Sequence, residues 1–134
     1  MKILNLGSSG QVGAYLTEYL RKKGHEVIEF DKNRHHGEDL TQIPNHNLDR
    51  AVRECDFCFF LAFDVGGSRY LKKYQHTFKF LDNNARMMTQ TFGLLEKYNK
   101  PFVFASSQMS NMSYSPYGVM KRVGELYTKS LGGK

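Results

Sequence analysis

The chain has 134 residues, of which 40% are hydrophobic and 24% charged, and its formal net charge at pH 7 is +6. This length fits one domain, and the sequence has no repeat, low-complexity tract or Pro/Ser-rich linker that would indicate a disordered or multidomain chain. The basic residues are scattered along the sequence, which favours a solvated surface over nucleic-acid binding. With neither a signal peptide nor a membrane-length apolar run, we expect a cytoplasmic protein without a membrane partner.

The first thirty residues predict a βαβ unit. The apolar run KILNL (2–6) reads as a buried strand and is followed by the glycine-rich loop GSSGQVG (7–13). A helix is expected next, with Val12, Leu16 and Leu20 on one apolar stripe and Gly24 as its stop. The run EVIEF (26–30) is the second predicted strand, and it ends at Asp31.

The rest of the chain continues the alternation of strands and helices. We predict a short helix at 48–55, a strand at 56–62, a long helix at 77–98, a strand at 101–105 and a last helix at 116–131 that Ser115 caps. The span 31–39 is too short for a crossover helix, so any strand near 38–40 must be rudimentary. This order predicts an α/β fold of three layers, a parallel sheet with helices on both faces.

Cys55 and Cys58 have the spacing of a zinc or redox pair in the segment CDFC. No second pair accompanies them, and a strand would direct them to opposite faces. We therefore expect two buried thiols in a reducing compartment, and no metal.

The glycine loop has a physical interpretation between a strand and a helix. Gly7 would make the turn, Gly10 would let the backbone approach a pyrophosphate, and Gly13 would let the helix pack on the strand. Asp31 follows Gly13 by 18 residues, where a carboxylate can accept both ribose hydroxyls of an adenosine. It would repel a 2′-phosphate despite Lys32 and Arg34 nearby, so NAD is favoured over NADP. The alternative is a plain turn followed by a surface Asp.

A second set of residues lies near the end of the chain. Tyr117 and Lys121 are four residues apart on a predicted helix, so they share a face, and a nearby ammonium favours the phenolate of a tyrosine. Ser107 follows the strand at 101–105, at the edge of the sheet where open α/β folds bind ligands. These residues suggest general acid/base chemistry by Tyr117 beside a substrate oxygen that Ser107 holds. Two surface residues four apart are the alternative.

Together these motifs resemble those of the extended short-chain dehydrogenases/reductases, and among them the NAD-dependent epimerase/dehydratase family, which acts on nucleotide sugars. GSSGQVG resembles the nucleotide loop, FLAFDVGG the segment after the fourth strand, and FASS with YGVMK the catalytic serine and YxxxK pair. The family more often has a small residue where Phe63 stands. The resemblance implies a Rossmann-type fold and the catalytic residues Ser107, Tyr117 and Lys121. It also implies these cofactor contacts: Gly7, Gly10, Gln11, Val12, Gly13, Asp31, Lys32, Asp39, Leu40, Leu61, Ala62, Phe63, Asn83, Tyr117 and Lys121.

The resemblance covers nearly the whole chain, which stops just after the YxxxK helix, so we expect a single nucleotide-binding domain, 1–134, without the family's C-terminal substrate lobe. The first functional hypothesis is the dinucleotide-binding half of a nucleotide-sugar epimerase or dehydratase. The second is a non-catalytic NAD-binding module derived from such an enzyme.

The long helix predicts an association surface. One stripe, formed by Phe78, Leu81, Ala85, Met88, Phe92 and Leu95, is expected to pack on the sheet. A second stripe of Phe80, Met87 and Leu94 would then face outward, and the last helix also carries apolar residues off its packing face. These surfaces predict a homodimer through helices 77–98 and 116–131, as the family resemblance also implies.

Overall fold

The computed structural model describes residues 1–65, 68–111 and 115–133. Its strands are β1 (Lys2–Leu6), β2 (Glu26–Phe30), β3 (Phe57–Phe60) and β4 (Phe102–Phe104). Its helices are α1 (Gln11–Lys22), α2 (His46–Glu54), α3 (Ser68–Tyr74), α4 (Phe78–Lys97) and α5 (Pro116–Ser130). Two 3₁₀ turns, His36–Glu38 and Gln108–Asn111, precede α2 and α5. The first of them lies where only a rudimentary strand was expected.

The four strands form one parallel sheet in the order β2-β1-β3-β4. β1 is paired on both sides, with Ile3 opposite Val27 of β2 and Phe57 of β3. One face of the sheet carries Ile3 and Val27 against Leu20 of α1. The other face carries the larger core, to which α2, α4 and α5 contribute. The sheet therefore has helices on both faces, as the sequence predicts.

α1 packs on the sheet with Leu16 and Leu20, as expected, but not with Val12. Its buried residues are Gly13, Thr17 and Leu20, whereas Val12 is 69% exposed. The helix approaches β1 at Gly13, since only a residue without a side chain fits there. The polar Asn5 of β1 is also buried and donates to the Thr17 hydroxyl and the Gly13 carbonyl. The predicted apolar stripe was wrong at its first position.

The packing predicted for α4 was correct for Met88, Phe92 and Leu95, which are buried, and wrong for the other residues of the two stripes. Phe80 and Met87 are buried within the chain, and Leu94 packs against the core half-buried. In contrast, Phe78 is 80% exposed and Leu81 is 37% exposed. The cause is that α4 contacts α2 and α5 as well as the sheet, so its buried face is wide, while its first turn meets solvent.

Both cysteine thiols are free and buried, as expected. The expectation that they lie on opposite faces was wrong: both belong to the same core. Cys55 precedes β3 and stands at the carboxyl end of α2, where its thiol donates to the Val52 carbonyl. Burial raises the pKa of Cys58 well above its usual value.

The sequence interpretation missed α3. Its segment, SRYLKKY, has no repeating apolar stripe. Across the residues that the structure describes, no helix combines the length and apolarity that a membrane span requires.

Candidate functional site: a cavity at the edge of the sheet

The β1–α1 loop is built so closely that glycine is required at two positions. Gly7 has φ +94°, and a Cβ there would lie 2.9 Å from the amide nitrogen of Ala62. A Cβ at Gly13 would lie 2.1 Å from the Gly7 carbonyl oxygen. The loop is thus packed between the end of β3 and the start of α1.

The amino terminus of α1 suits an anionic ligand. Gly10 is its N-cap and offers no side chain to the first-turn N–H groups, and the first turn contains no acidic residue. Free N–H groups and the helix dipole attract phosphate at such a terminus. A Cβ at Gly10 would meet only the Gly7 carbonyl oxygen, at 3.4 Å, so little protein fills the space beside this position.

The Asp31 carboxylate is fixed across this loop at the end of β2. One oxygen accepts from the Ser9 amide at 3.0 Å and the other from the Asn33 amide at 2.9 Å. A carboxylate oxygen accepts more than one hydrogen bond, so both retain capacity for further donors. This arrangement holds the acceptor that the sequence assigned to ribose hydroxyls.

A cavity of about 510 Å³ opens at the carboxyl ends of β2, β1 and β3, next to the loop. Apart from Tyr117 and Lys121, every residue predicted to contact a cofactor lines it: Gly7, Gly10, Gln11, Val12, Gly13, Asp31, Lys32, Asp39, Leu40, Leu61, Ala62, Phe63 and Asn83. It also includes residues that the sequence did not single out: Phe30, Asn33, Glu38, Thr41, Asp64, Val65 and Met87. This is the position at which open parallel sheets bind ligands.

Asp64 is the most connected of the unpredicted residues. Its carboxylate accepts from the Tyr70 hydroxyl at 2.6 Å and from the Asn83 side-chain amide at 3.2 Å. Its backbone N–H donates to the fully buried Asn84 at 2.7 Å. The hydrogen bond to Asp64 raises the pKa of Tyr70 to about 12. Asp64 therefore positions Asn83, and the acidic residue after FLAF was the only signal for it in the sequence.

Tyr117 and Lys121 are both buried and lie on α5, outside the lining of the cavity. The Lys121 ammonium donates to the Ala105 carbonyl at 2.7 Å and lies 3.9 Å from the centre of the Phe63 ring. It is 6.0 Å from the centre of the Tyr117 ring. Burial lowers the pKa of Lys121 to about 8.

Ser107 lies at the carboxyl end of β4, as predicted, and its hydroxyl accepts from the Met109 amide at 3.2 Å. Gln75, at the end of α3, holds the start of α5: its side-chain oxygen accepts from the Ser115 hydroxyl and from the Tyr117 amide. Phe63 lies between the two predicted groups: it lines the cavity with the residues predicted to bind a cofactor, and it contacts Tyr117 and Lys121 on α5.

The comparison with protein families settles the assignment of the fold. The model of the NAD-dependent epimerase/dehydratase family matches residues 3–134. The chain belongs to this family. No curated protein matches the chain.

Several solved structures share the fold of this chain at low sequence identity. A dTDP-4-dehydrorhamnose reductase from Clostridium acetobutylicum aligns with a TM-score of 0.74 at 21% identity, over 98% of this chain and 50% of that one. UDP-glucose 4-epimerase from Thermotoga maritima, solved with UDP-glucose, aligns with a TM-score of 0.74 at 17% identity, over 98% of this chain and 51% of that one. A short-chain dehydrogenase/reductase superfamily protein from Agrobacterium tumefaciens with bound NAD aligns with a TM-score of 0.73 at 22% identity, over 96% of this chain and 44% of that one. This chain spans about half the length of these structures.

Proposed function

We propose that the chain binds NAD as the dinucleotide-binding half of an enzyme that acts on a nucleotide sugar. The observation that carries the proposal is the cavity beside the glycine loop, where thirteen predicted contact residues lie together. Similar structures include one with bound NAD and a GDP-L-fucose synthetase bound to NADP. A nicotinamide dinucleotide is thus supported by the family, and the preference for NAD rests on Asp31.

The residues present fit such a cofactor. The uncapped first turn of α1 would hold the pyrophosphate, and Asp31 would accept the hydroxyls of the adenosine ribose. A 2′-phosphate at this position would meet the Asp31 carboxylate, which lines the cavity. Glu38 lines it too, but its carboxylate is paired with Arg34 at 3.2 Å. The preference for the unphosphorylated ribose therefore rests on Asp31, with Lys32 as the opposing charge.

The catalytic proposal concerns the residues on the other side of Phe63. NAD, when bound, supplies an acceptor for a hydride from a sugar carbon. Tyr117 would take the proton of the sugar hydroxyl at its phenolic oxygen, and Ser107 would donate a hydrogen bond to the same substrate oxygen. Lys121 would supply a positive charge near Tyr117, since its ammonium lies 6.0 Å from the centre of the Tyr117 ring. Because Phe63 contacts both Tyr117 and Lys121, these roles require its ring to turn away.

The second candidate is a non-catalytic NAD-binding module. It is favoured by that same contact, which separates Tyr117 and Lys121 from the cavity.

Calorimetry with NAD and NADP tests the shared part of both candidates. We expect NAD to bind more tightly, and Asp31→Ala to weaken NAD binding by about 1.5 to 3 kcal/mol, the value of a hydrogen bond to a charged group. Glu54→Ala, a surface substitution on α2 away from the cavity, is the control. Equal affinity for both cofactors contradicts the assignment of Asp31. Turnover of UDP- and dTDP-sugars in the presence of NAD then separates the enzyme from the module.

A further inference from the structure

The cavity ends at the Phe63 ring. Phe63 is the first residue after Leu61 and Ala62 in the loop that leaves β3, and all three line the cavity. The lining reaches β2, β1 and β3 but includes no residue of β4 or α5. Phe63 therefore forms the wall between the cavity and the residues beyond β4.

The ring is fixed on its far side by two contacts. It meets the Tyr117 ring edge to face, with the centroids 5.7 Å apart and the planes at 82°. It also carries the Lys121 ammonium over its face at 3.9 Å, a distance typical of a cation–π contact. Since Tyr117 and Lys121 are both buried, a ring that left this position would expose them to solvent or to a ligand.

The Lys121 ammonium has its partners without any ligand. It donates to the Ala105 carbonyl at 2.7 Å and lies between the faces of Phe63 and Phe104. The groups that suit a ligand all lie on the near side of Phe63: the uncapped turn of α1 for phosphate, Asp31 for ribose, and the apolar Leu40 at the same end. The recognition chemistry in the cavity is thus that of an adenosine diphosphate.

We propose that Phe63 is a specificity-determining residue that confines the site to the adenosine diphosphate half of a dinucleotide. The inference rests on the proposed dinucleotide site and adds that the nicotinamide half of NAD contributes nothing to its affinity. ADP-ribose, which lacks only the nicotinamide, is then as good a ligand as NAD. Opening of the Phe63 ring is what would admit nicotinamide to Tyr117 and Lys121.

Saturation-transfer NMR on the wild-type chain tests this directly. With NAD as the probe, we expect saturation of the adenine and adenosine-ribose protons and none of the nicotinamide ring protons. Calorimetry should give NAD and ADP-ribose affinities within about twofold of each other. Saturated nicotinamide protons, or NAD binding about tenfold tighter than ADP-ribose, would overturn the proposal while leaving the NAD site itself intact.

The Phe63→Ala variant tests the role of the ring by the same two measurements. Removal of the ring should bring nicotinamide protons into the saturation spectrum and tighten NAD relative to ADP-ribose by about fivefold or more. Phe78→Ala is the matched control, because it also removes a phenylalanine ring, but from a residue that is 80% exposed and lies outside the cavity lining; it should leave the nicotinamide protons unsaturated. Nicotinamide protons that stay silent in a folded Phe63→Ala chain contradict the role of the ring. If Phe63→Ala does not fold, the wild-type comparison decides alone. Absence of binding by NAD and ADP-ribose alike rejects the proposed function and this inference together.

Discussion

The ammonium nitrogen of Lys121 lies 3.9 Å from the centre of the Phe63 ring and 6.0 Å from that of Tyr117. A buried cation is thus held by an aromatic face and a backbone carbonyl rather than by a carboxylate. The arrangement costs folding free energy, because an ammonium loses hydration on burial.

This cost predicts an unusual dependence of stability on pH. Burial lowers the pKa of Lys121 from 10.5 to about 8 in the folded chain, so between these values the unfolded chain binds more protons. Stability therefore rises with pH across the window, by at most about 3 kcal/mol from this group. Urea unfolding at pH 8 and pH 10.5 tests this with Lys121→Met, in which the other titrating groups are unchanged. The free energy of unfolding should increase more from pH 8 to pH 10.5 for the wild-type chain than for Lys121→Met. Parallel stability curves for the two chains would contradict the prediction.

The glycine loop separates effects on binding from effects on folding. Gly10→Ala should leave the fold intact, since its Cβ meets no atom closer than 3.4 Å. It should weaken NAD binding by about tenfold or more, because the methyl group stands where the pyrophosphate would pass. Calorimetry and thermal unfolding of the same sample measure both effects.

Two further glycines are the matched controls for that loop. Gly13→Ala forces a Cβ to 2.1 Å from the Gly7 carbonyl oxygen, so it should destabilise the fold itself. Gly93→Ala in α4 meets nothing within 4 Å and should stabilise the chain by about 1 kcal/mol through helix propensity. A Gly10→Ala chain that binds NAD normally would reject the pyrophosphate assignment.

The adjacent asparagines of α4 are expected to differ in role. Asn84 is fully buried and bonds the Asp64 amide and the Phe80 carbonyl. Asn84→Ala should therefore cost about 1 to 3 kcal/mol of folding free energy, the penalty for buried groups that lose their partners. Asn83→Ala, which removes one bond of 3.2 Å to Asp64, should cost less stability and instead weaken NAD binding. Chemical denaturation and calorimetry on both variants distinguish the roles, and equal losses of stability would contradict the division.

The homodimer remains a prediction, and the structure changes the residues that would test it. Met87 is 7% exposed, so Met87→Glu should unfold the chain rather than dissociate it. Leu126 on α5 is 53% exposed and Leu81 on α4 is 37% exposed. Leu126→Glu should weaken a dimer without loss of helical signal. Sedimentation at micromolar concentration decides: a wild-type species of 15.5 kDa contradicts the dimer.

The features that sequence predicted correctly are those set by local chemistry. The strand before Gly7 and the N-cap at Ser115 each follow from residues within a few positions of them. The predictions that failed concern the buried face of a helix, which depends on the other elements that the helix contacts. α4 buries the polar Asn84 and Thr91 and exposes Phe78, because contacts with α2 and α5 decide its phase. The contact between Phe63 and Lys121 joins residues far apart in the chain and depends on side-chain conformation, which no local pattern encodes.

β1 is the first strand in the chain, and it is paired on both sides, with β2 and β3 as its neighbours. During synthesis it therefore emerges with neither partner, and its pairing with β3 waits until residue 60 has left the ribosome. Four of its five residues are buried in the finished sheet. A nascent chain that ends before residue 60 therefore exposes a mainly apolar segment that is prone to aggregation. The glycine loop that follows β1 also lacks its packing surface at Ala62 until then. The glycine loop thus precedes β3 in the chain but is completed only when β3 has been made.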